Sequence, residues 1–240
     1  MREALVVIPT YNEIENIEAI IRAVFRETEV FDVLVVDDNS PDGTANTVIK
    51  LQKEFPDQLY LEQRKGKSGL GTAYIHAFKW ALLRHYNYVC EMDADFSHNP
   101  KDLNKLYEMC SLHDVDVSIG SRYKSGVNVV NWPMNRVLLS YFASKYVRFI
   151  TRMNINDTTA GFVCYKRKVL ESIDLDKIKF VGYAFQIEMK FKAYLKQFKI
   201  EEVPVVFTDR TKGESKMDGS IISEAVFGVI LMKLRSVFKK

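Results

Sequence analysis

Short runs of apolar residues alternate with amphipathic segments over the first half of the chain. Five runs are short enough to be buried strands, at residues 4–8, 33–36, 59–61, 86–92 and 115–119. Between them, apolar residues at a helical spacing predict helices at residues 14–25, 44–55, about 72–83 and 100–110. This alternation predicts an α/β fold with a doubly wound, mostly parallel sheet.

Polar clusters follow three of the predicted strands, at residues 9–13, 37–40 and 93–95. In a doubly wound sheet ligands bind beyond the carboxyl ends of the strands, so the three clusters would share one edge. We expect a nucleotide base and ribose over the first two clusters, and a diphosphate with its metal at the third.

The third cluster places two carboxylates, Asp93 and Asp95, two positions apart after an apolar run. If the strand continues through them, both side chains point to the same side and their charges repel. A divalent cation relieves this repulsion, and Mg²⁺ or Mn²⁺ suits hard oxygen ligands together with the phosphates of a nucleotide. The pair alone is not specific, because an ordinary turn at a strand end can carry the same residues.

Three basic residues near predicted strand ends are candidates for binding phosphate. Arg122 follows the fifth strand, where its planar guanidinium suits a phosphate; a surface salt bridge is the alternative. Arg210 and Lys216 belong to a polar loop after a strand predicted at 203–207, and this loop is either a lid over a phosphate or a solvated connection. The glycine-rich turn at 66–71 lacks the spacing of a P-loop, which disfavours a nucleoside triphosphatase.

Two further helices are predicted at residues 134–152 and 221–238. The first is apolar apart from a narrow polar stripe at every fourth position, formed by Arg136, Ser140, Ser144 and Arg148. The second has one apolar side and is followed by basic residues. Such helices fit a membrane interface, with burial against the domain as the alternative. We expect one main domain at residues 1–220, including the first helix, and a C-terminal amphipathic basic helix at 221–240.

Size, charge and cysteine content add a few constraints. The 240 residues suffice for one well-buried core, and a net charge of +3 gives no indication of nucleic-acid binding. Three cysteines without CxxC spacing are expected to be reduced, as in a cytosolic protein. We expect neither a signal peptide nor a membrane span, because the chain opens on a strand and no apolar run reaches about 18 residues.

Several motifs together resemble family 2 glycosyltransferases, and more closely the dolichol-phosphate (polyprenol-phosphate) mannosyltransferases. The first motifs are VIPTYNE at residues 7–13, VDDNSPDGT at 36–44 and MDADFSH at 92–98. Others extend the resemblance over nearly the whole chain, at residues 69–74, 120–123, 159–162, 182–186 and 209–216. The set is specific for the family and less specific for the sugar.

The resemblance implies a GT-A catalytic domain that transfers mannose, with inversion, from GDP-mannose to a polyprenyl phosphate. The strand-end carboxylates and the two amphipathic basic helices predict a peripheral protein on the cytoplasmic face of a membrane, without the transmembrane helices of larger members. The residues that would hold the guanosine are Pro9, Tyr11, Glu13, Val36 and Asp38. Those that would contact the ribose and diphosphate are Asp93, Ala94 and Asp95.

The resemblance also implies the metal ligands and the phosphate-binding residues. Asp95 would be the principal ligand of Mg²⁺ or Mn²⁺, assisted by Asp93 and by Ser97, where some members have glutamine. Donor and acceptor phosphates would be neutralised by Arg122, Arg210 and Lys216, and the acceptor phosphate would also contact Arg136 and Ser140. Asp95, Arg122 and Arg210 would carry the catalysis.

The chemistry of a phosphate acceptor agrees with this set of residues. A phosphate monoester, with a second pKa of about 6, is largely ionised at pH 7 and needs no general base. Catalysis can then rest on positioning and charge, so Asp157, Glu188, His76 and His98 are expected to be structural. A contact with the acceptor is the alternative for Asp157 and Glu188. Two alternatives stay open: a polyprenyl-phosphate glucosyltransferase that uses UDP-glucose, and a catalytically silent, nucleotide-sugar-binding adaptor at the membrane.

Overall fold

The computed structural model of the chain describes residues 2–27, 29–182, 184–210 and 219–238, with the side chains of 227–236 in the last range. Lys216 therefore lies outside the described residues. The strands are β1 Ala4–Thr10, β2 Phe31–Asp37, β3 Leu59–Gln63, β4 Tyr88–Glu91, β5 Val117–Ser121, β6 Val129–Val130, β7 Val163–Lys166, β8 Ile200–Pro204 and β9 Phe207–Thr208. The helices are α1 Ile17–Glu27, α2 Thr44–Gln52, α3 Leu70–Leu82, α4 Asp102–Ser111, α5 Met134–Thr151, α6 Arg167–Ser172, α7 Ala184–Leu195 and α8 Gly219–Phe238, with a 3₁₀ helix at Leu175–Lys177.

Seven strands form the central sheet, in the order β3-β2-β1-β4-β7-β5-β8. All neighbours pair in parallel except β7, which is antiparallel to both β4 and β5. The predicted doubly wound, mostly parallel sheet is confirmed. The sequence pattern did not predict β7.

The core lies on both faces of this sheet, which explains the uninterrupted apolar runs in β1 and β2. Because side chains alternate along a strand, Leu5 and Val7 pack into the cluster on one face. Val6 and Ile8 pack into the cluster on the other face. A strand covered on both sides needs apolar residues at every position.

The single strand predicted at 203–207 is wrong, because two short strands share this segment. Val203 and Pro204 end β8 at the edge of the central sheet, whereas Phe207 and Thr208 form β9, which pairs with β6. Pro204 has no N–H group for continued pairing, so its position at an edge is the one that a sheet tolerates. The chain leaves the central sheet at this point.

The carboxyl ends of β1, β2, β4 and β5 meet at one edge, as predicted. Two hydrogen bonds join the cluster after β1 to the segment after β2. Ser40 Oγ accepts from the Asn12 N–H at 3.0 Å, and Thr44 Oγ1 accepts from the Glu13 N–H at 3.0 Å. The strand predicted at 86–92 is observed as β4, and the two carboxylates do not continue it. The strand ends at Glu91, and Asp93 and Asp95 lie in the turn that follows.

The two amphipathic helices pack against each other, and α8 also packs on α7. The helix predicted at 134–152 is observed at Met134–Thr151, and the one predicted at 221–238 at Gly219–Phe238. Within the part of the chain that the structure describes, no helix is both long enough and apolar enough to cross a membrane.

Candidate active site

A cavity of about 390 Å³ opens at the carboxyl edge of the sheet, between the strand ends and α5. Seven of the residues predicted from the sequence contribute to its lining, and these are Asp93, Asp95, Ser97, Arg122, Arg136, Ser140 and Arg210. They come from four separate parts of the chain: the turn after β4, the end of β5, α5 and the segment after β9. The cavity therefore brings together the residues predicted to contact the diphosphate and those predicted to contact the acceptor phosphate.

The turn after β4 holds Asp95 in a fixed position at the cavity. Phe96 has a left-handed backbone conformation, with φ of 61°, which turns the chain back so that the Ser97 N–H donates to Asp95 Oδ1 at 3.0 Å. The other oxygen, Asp95 Oδ2, lies 3.1 Å from Arg210 Nη2. The guanidinium thus places a positive charge where a carboxylate pair would otherwise be uncompensated.

The neighbouring carboxylate, Asp93, is arranged by His98. The Asp93 N–H donates to His98 Nδ1 at 3.1 Å, and Asp93 Oδ2 lies 4.0 Å from His98 Nε2. Burial of the imidazole lowers the pKa of His98 to about 4, so the ring is neutral at physiological pH. Because Nδ1 accepts a hydrogen bond, the proton resides on Nε2. The expectation of a structural role for His98 agrees with these contacts.

The carboxylates at this turn suit a divalent ion that is shared with a diphosphate. Among the described residues, no group of three or more His, Cys, Asp or Glu side chains forms a complete metal site. Mg²⁺ and Mn²⁺ commonly use one or two carboxylates and take their remaining ligands from phosphates and water. Asp95 and Asp93 fit this pattern, with the buried Ser97 hydroxyl beside them in the cavity lining.

Arg122 is held by Asp157 in a buried, bidentate ion pair. Arg122 Nε and Nη2 donate to the two carboxylate oxygens of Asp157 at 2.7 and 2.6 Å, and Nη2 also donates to Thr159 Oγ1 at 2.9 Å. Burial acts to lower the pKa of Arg122, but the charge and hydrogen bonds of Asp157 outweigh it and raise that pKa. The backbone of Asp157 is fixed in turn, because its N–H donates to Glu202 Oε1 at 2.8 Å. The alternative for Arg122, a surface salt bridge, is wrong because this ion pair is buried.

The polar stripe of α5 faces the domain. Arg136 Nη1 donates to Asp209 Oδ1 at 2.6 Å, and its guanidinium carbon lies 4.0 Å from the centre of the Trp132 ring. Ser140 lines the cavity one turn further along α5, and Ser144 is buried. The opposite side of α5 consequently presents apolar side chains to solvent.

The residues expected to hold the guanosine lie at the carboxyl ends of β1 and β2 and do not line the cavity. Both oxygens of Asp38 accept hydrogen bonds from Arg64, from Nε at 2.5 Å and from Nη2 at 2.7 Å. Lys67 Nζ lies 5.1 Å from the centre of the Tyr11 ring. Pro9 and Glu13 are half-buried at the same strand end. The side chain of Val36 is fully buried in the core, which leaves only its backbone for any nucleotide contact.

Comparisons with known proteins identify the family. Residues 5–174 match the model of Glycosyl transferase family 2. The chain belongs to this family. It is 45% identical over 228 residues to the polyprenol monophosphomannose synthase of Mycolicibacterium smegmatis, covering 95% of this chain and 86% of that protein. It is 43% identical over 225 residues to the undecaprenyl-phosphate mannosyltransferase of Micrococcus luteus, covering 94% and 91%.

Solved structures share the fold of this family 2 glycosyltransferase. Glucosyl-3-phosphoglycerate synthase from Mycobacterium tuberculosis, in complex with Mn²⁺, UDP and glucosyl-3-phosphoglycerate, aligns with a TM-score of 0.69 at 16% identity, over 98% of this chain and 79% of that one. A mannosyltransferase from Pyrobaculum calidifontis, in complex with GDP-Man and Mn²⁺, aligns with a TM-score of 0.63 at 19% identity, over 100% and 65%. The expected GT-A fold is confirmed.

Two residues of this family 2 glycosyltransferase, Arg64 and Gln186, were not predicted from the sequence to have a role in the site. Arg64 carries no local motif and reaches Asp38 from 26 positions away. Gln186, in the first turn of α7, belongs to a family motif, is buried and lines the cavity. A Cβ atom added to Gly161 would lie 3.7 Å from Gln186 Nε2. The amide and the glycine thus form one polar wall of the cavity.

Buried Lys190 supports this wall from behind, and Glu91 is a second buried ionisable residue near it. Lys190 Nζ donates to the carbonyl oxygens of Ala160 at 2.5 Å and of Gln186 at 3.1 Å. Burial raises the pKa of Glu91 to about 8 and lowers the pKa of Lys190 to about 8, and each charge partly offsets the shift of the other. These hydrogen bonds tie the loop before β7 to α7 behind the cavity. Glu188, as expected, has a structural role, because its carboxylate accepts from the backbone N–H groups of Lys179 and Phe180.

Proposed function

We propose that the protein transfers mannose, with inversion, from GDP-mannose to a polyprenyl phosphate at the cytoplasmic face of a membrane. The observation that carries the proposal is the meeting of Asp95 with Arg122, Arg136 and Arg210 in one cavity beside an exposed apolar helix. The two relatives at 43–45% identity carry names that specify mannose and a polyprenyl acceptor, which supports the same substrate classes here.

In the proposed reaction the acceptor phosphate is the nucleophile. One of its oxygens forms a bond to the anomeric carbon while the bond from that carbon to the diphosphate of GDP breaks, so the configuration inverts. The acceptor is largely ionised at pH 7, and no residue has to remove a proton. Arg136 and Ser140 would hold the acceptor phosphate in line with the bond that breaks.

The remaining charged residues would hold the donor. Arg210 and Lys216 would neutralise its diphosphate, and Arg122, kept in place by Asp157, would face the phosphates between donor and acceptor. Asp95 and Asp93, with Ser97, would hold Mg²⁺ or Mn²⁺, which when bound stabilises the negative charge on the leaving diphosphate. The hydroxyl groups of the hexose would face Gln186 and Gly161 at the polar wall of the cavity.

The exposed apolar side of α5 supports a location at the membrane surface. Met134, Leu138 and Phe142 lie one turn apart on this side and are 69%, 48% and 62% exposed. On α8, which packs against α5, Phe227, Leu231 and Leu234 are also exposed at helical spacing. Large exposed apolar surfaces of this kind commonly mark a membrane or protein contact. The acceptor would then enter the cavity directly from the lipid phase.

Labelled donors distinguish the proposal from its two alternatives. Purified protein is incubated with Mg²⁺ or Mn²⁺, polyprenyl phosphate and either labelled GDP-mannose or labelled UDP-glucose, and the lipid-soluble label is counted. Lipid-linked mannose is expected; transfer of glucose alone would identify a glucosyltransferase, and nucleotide binding without any transfer would identify an adaptor.

A carboxylate variant tests the catalytic role of the turn after β4. Asp95→Asn is expected to lower turnover by at least about 100-fold, because it removes a charge that faces the diphosphate. Asp57→Asn, the same change at an exposed loop, is the matched control. Unchanged turnover for Asp95→Asn would rule out the proposed metal site.

A further inference from the structure

A second cavity, of about 340 Å³, lies at the carboxyl end of α5. It shares no lining residue with the active-site cavity. Its lining consists of Lys145, Arg148, Phe149, Arg152, Met153 and Asn154. The lining thus combines three basic side chains with two apolar ones and contains no acidic residue.

Arg148 and Arg152 have neutral partners, and Lys145 Nζ lies 5.0 Å from the centre of the Tyr141 ring. Arg148 donates from Nη1 to Asn156 Oδ1 and from Nη2 to Asn154 Oδ1, both at 2.8 Å. The guanidinium carbon of Arg152 lies 4.9 Å from the centre of the Phe149 ring. Among the described residues, no carboxylate lies within 4.0 Å of Lys145, Arg148 or Arg152. The cavity therefore keeps three positive charges that are available to an anion.

The surroundings of this cavity indicate that the anion belongs to a lipid. Lys145, Phe149 and Arg152 continue the same exposed side of α5 on which Leu138 and Phe142 lie. Phe149, part of the cavity lining, is 65% exposed. A site for a free phosphate has no need of exposed aromatic side chains, whereas basic and aromatic residues together suit the boundary between head groups and acyl chains.

We propose that this cavity binds the phosphate of an anionic membrane phospholipid. The inference rests on the proposed function for the placement of α5 at a membrane. Arg136, the proposed acceptor contact, precedes Arg148 by 12 residues, or about 18 Å along the helix. Phosphates of the acceptor and of the phospholipid lie at the same depth in a bilayer. Two phosphate contacts at this spacing would hold α5 parallel to the surface, with the active-site cavity at the level of the acceptor.

Vesicle binding of the full chain tests the proposal. Vesicles of phosphatidylcholine alone are compared with vesicles that also contain phosphatidylglycerol, and bound protein is measured by co-sedimentation. The double variant Lys145→Gln/Arg152→Gln is expected to lose about 30-fold in binding to the anionic vesicles, since each basic residue near such a surface contributes about 1 kcal/mol. Lys50→Gln/Lys53→Gln makes the same change in net charge on α2, at two exposed positions, and is expected to lose little.

A charge-conserving variant separates a built site from general attraction to a negative surface. Arg148→Lys keeps the charge but loses the planar fork that Asn154 and Asn156 hold, so a built site should be weakened several-fold. Equal binding of Arg148→Lys and wild type would overturn the proposal, as would equal losses in the two double variants. Binding of inorganic phosphate that matches the affinity for the lipid would also overturn it.

Turnover separates this inference from the proposed function. With detergent-dispersed acceptor, Lys145→Gln/Arg152→Gln is expected to turn over like the wild type, because neither residue lines the active-site cavity. A wild-type chain that binds anionic vesicles but transfers no sugar would refute the proposed function and leave the phospholipid site supported. A chain that transfers mannose but shows no preference for anionic vesicles would refute the site alone.

Discussion

Asp157 shows how one buried carboxylate can fix the geometry of an arginine that lines the cavity. It accepts two hydrogen bonds from the Arg122 side chain and a third from the Arg122 N–H at 3.0 Å. The cost of burying both charges is offset by this bidentate geometry and by the additional hydrogen bond from the Arg122 N–H. The rest of the Arg122 side chain faces the cavity. Because Asp157 already holds this side chain in place, the substrate does not have to order it.

Removing the charge of Asp157 should therefore damage both stability and turnover. Asp157→Asn leaves the buried Arg122 without its counter-charge, so we expect a loss of about 3–5 kcal/mol in the free energy of unfolding. Urea denaturation measures this loss, and kcat with GDP-mannose measures the effect on the reaction. Arg22→Gln, which breaks an exposed ion pair with Glu54, is the control and should cost far less stability than Asp157→Asn.

The same pair gives a pH dependence with a definite sign. Burial acts to raise the pKa of Asp157, but Arg122 outweighs it, so the folded-state pKa lies below the ordinary value of 3.8. The stabilisation is therefore complete above about pH 4 and is lost as the pH falls through the folded-state pKa. A wild-type protein that loses no more stability below pH 4 than Asp157→Asn, with unfolding measured at each pH, would contradict this assignment.

At the residue scale, the sequence indicated which side chains belong to the site but not which residues they contact. Asp95 and Arg122 were predicted because each follows an apolar run, and both line the cavity. Arg64 could not be found in this way, since its ion pair with Asp38 joins two strand ends that only the folded sheet brings together. The position of Gln186 in the cavity lining was missed as well, because only the folded chain brings α7 to this edge of the sheet.

At the scale of elements, α3 and the segment before α7 fit together through a glycine. A Cβ atom added to Gly71 would lie 2.8 Å from Phe185 Cγ and 2.9 Å from the carbonyl oxygen of Phe180. The Gly71 N–H also donates to the Val181 carbonyl oxygen at 2.8 Å. Because Phe185 immediately precedes Gln186, this contact sets the position of one wall of the cavity.

Gly71→Ala should push the start of α3 away from α7. We expect a loss of about 1–3 kcal/mol in the free energy of unfolding, as is usual for overpacking, together with a lower kcat. Thermal or urea unfolding and steady-state kinetics provide the two measurements. Gly66→Ala is the control, since no atom lies within 4 Å of an added Cβ there. If both variants matched the wild type, the close packing of α3 on α7 would have no role in the site.

Periodicity predicted the elements well where a strand is covered on both faces or a helix is long. Strands β1 and β2 and helices α5 and α8 lie within a few residues of their predicted positions. The four-residue strand β7 was missed, because it is short and pairs antiparallel inside an otherwise parallel sheet. The run 203–207 was assigned to one strand because alternation along the chain does not reveal that the chain changes sheets after Pro204. The expected boundary between a main domain and a C-terminal helix at residue 220 stays a prediction.

At the scale of the whole molecule, charge and apolar surface are divided along α5. Its polar stripe turns inward to the cavity, and its outer side is apolar in the first half and basic with an exposed phenylalanine in the second. An isolated soluble domain gains nothing from this orientation, since exposed apolar side chains lose the benefit of burial. In the proposed function, a membrane surface would supply that burial and would also supply the acceptor. The location and the reaction would then be linked through one helix.

Removing apolar side chains from the outer side of α5 should weaken membrane binding without altering the chemistry. Met134 and Leu138 are exposed and do not line the active-site cavity. Partial burial of each in the interface contributes about 1 kcal/mol, so Met134→Gln/Leu138→Gln should lower the vesicle partition constant by about 30-fold. The control is Leu83→Gln/Leu112→Gln, because these side chains, 85% and 74% exposed, lie at the ends of α3 and α4. Co-sedimentation with neutral vesicles isolates the apolar contribution from that of charge. Equal partitioning of the two double variants would show that α5 does not insert, and the acceptor would then have to reach the cavity by another side.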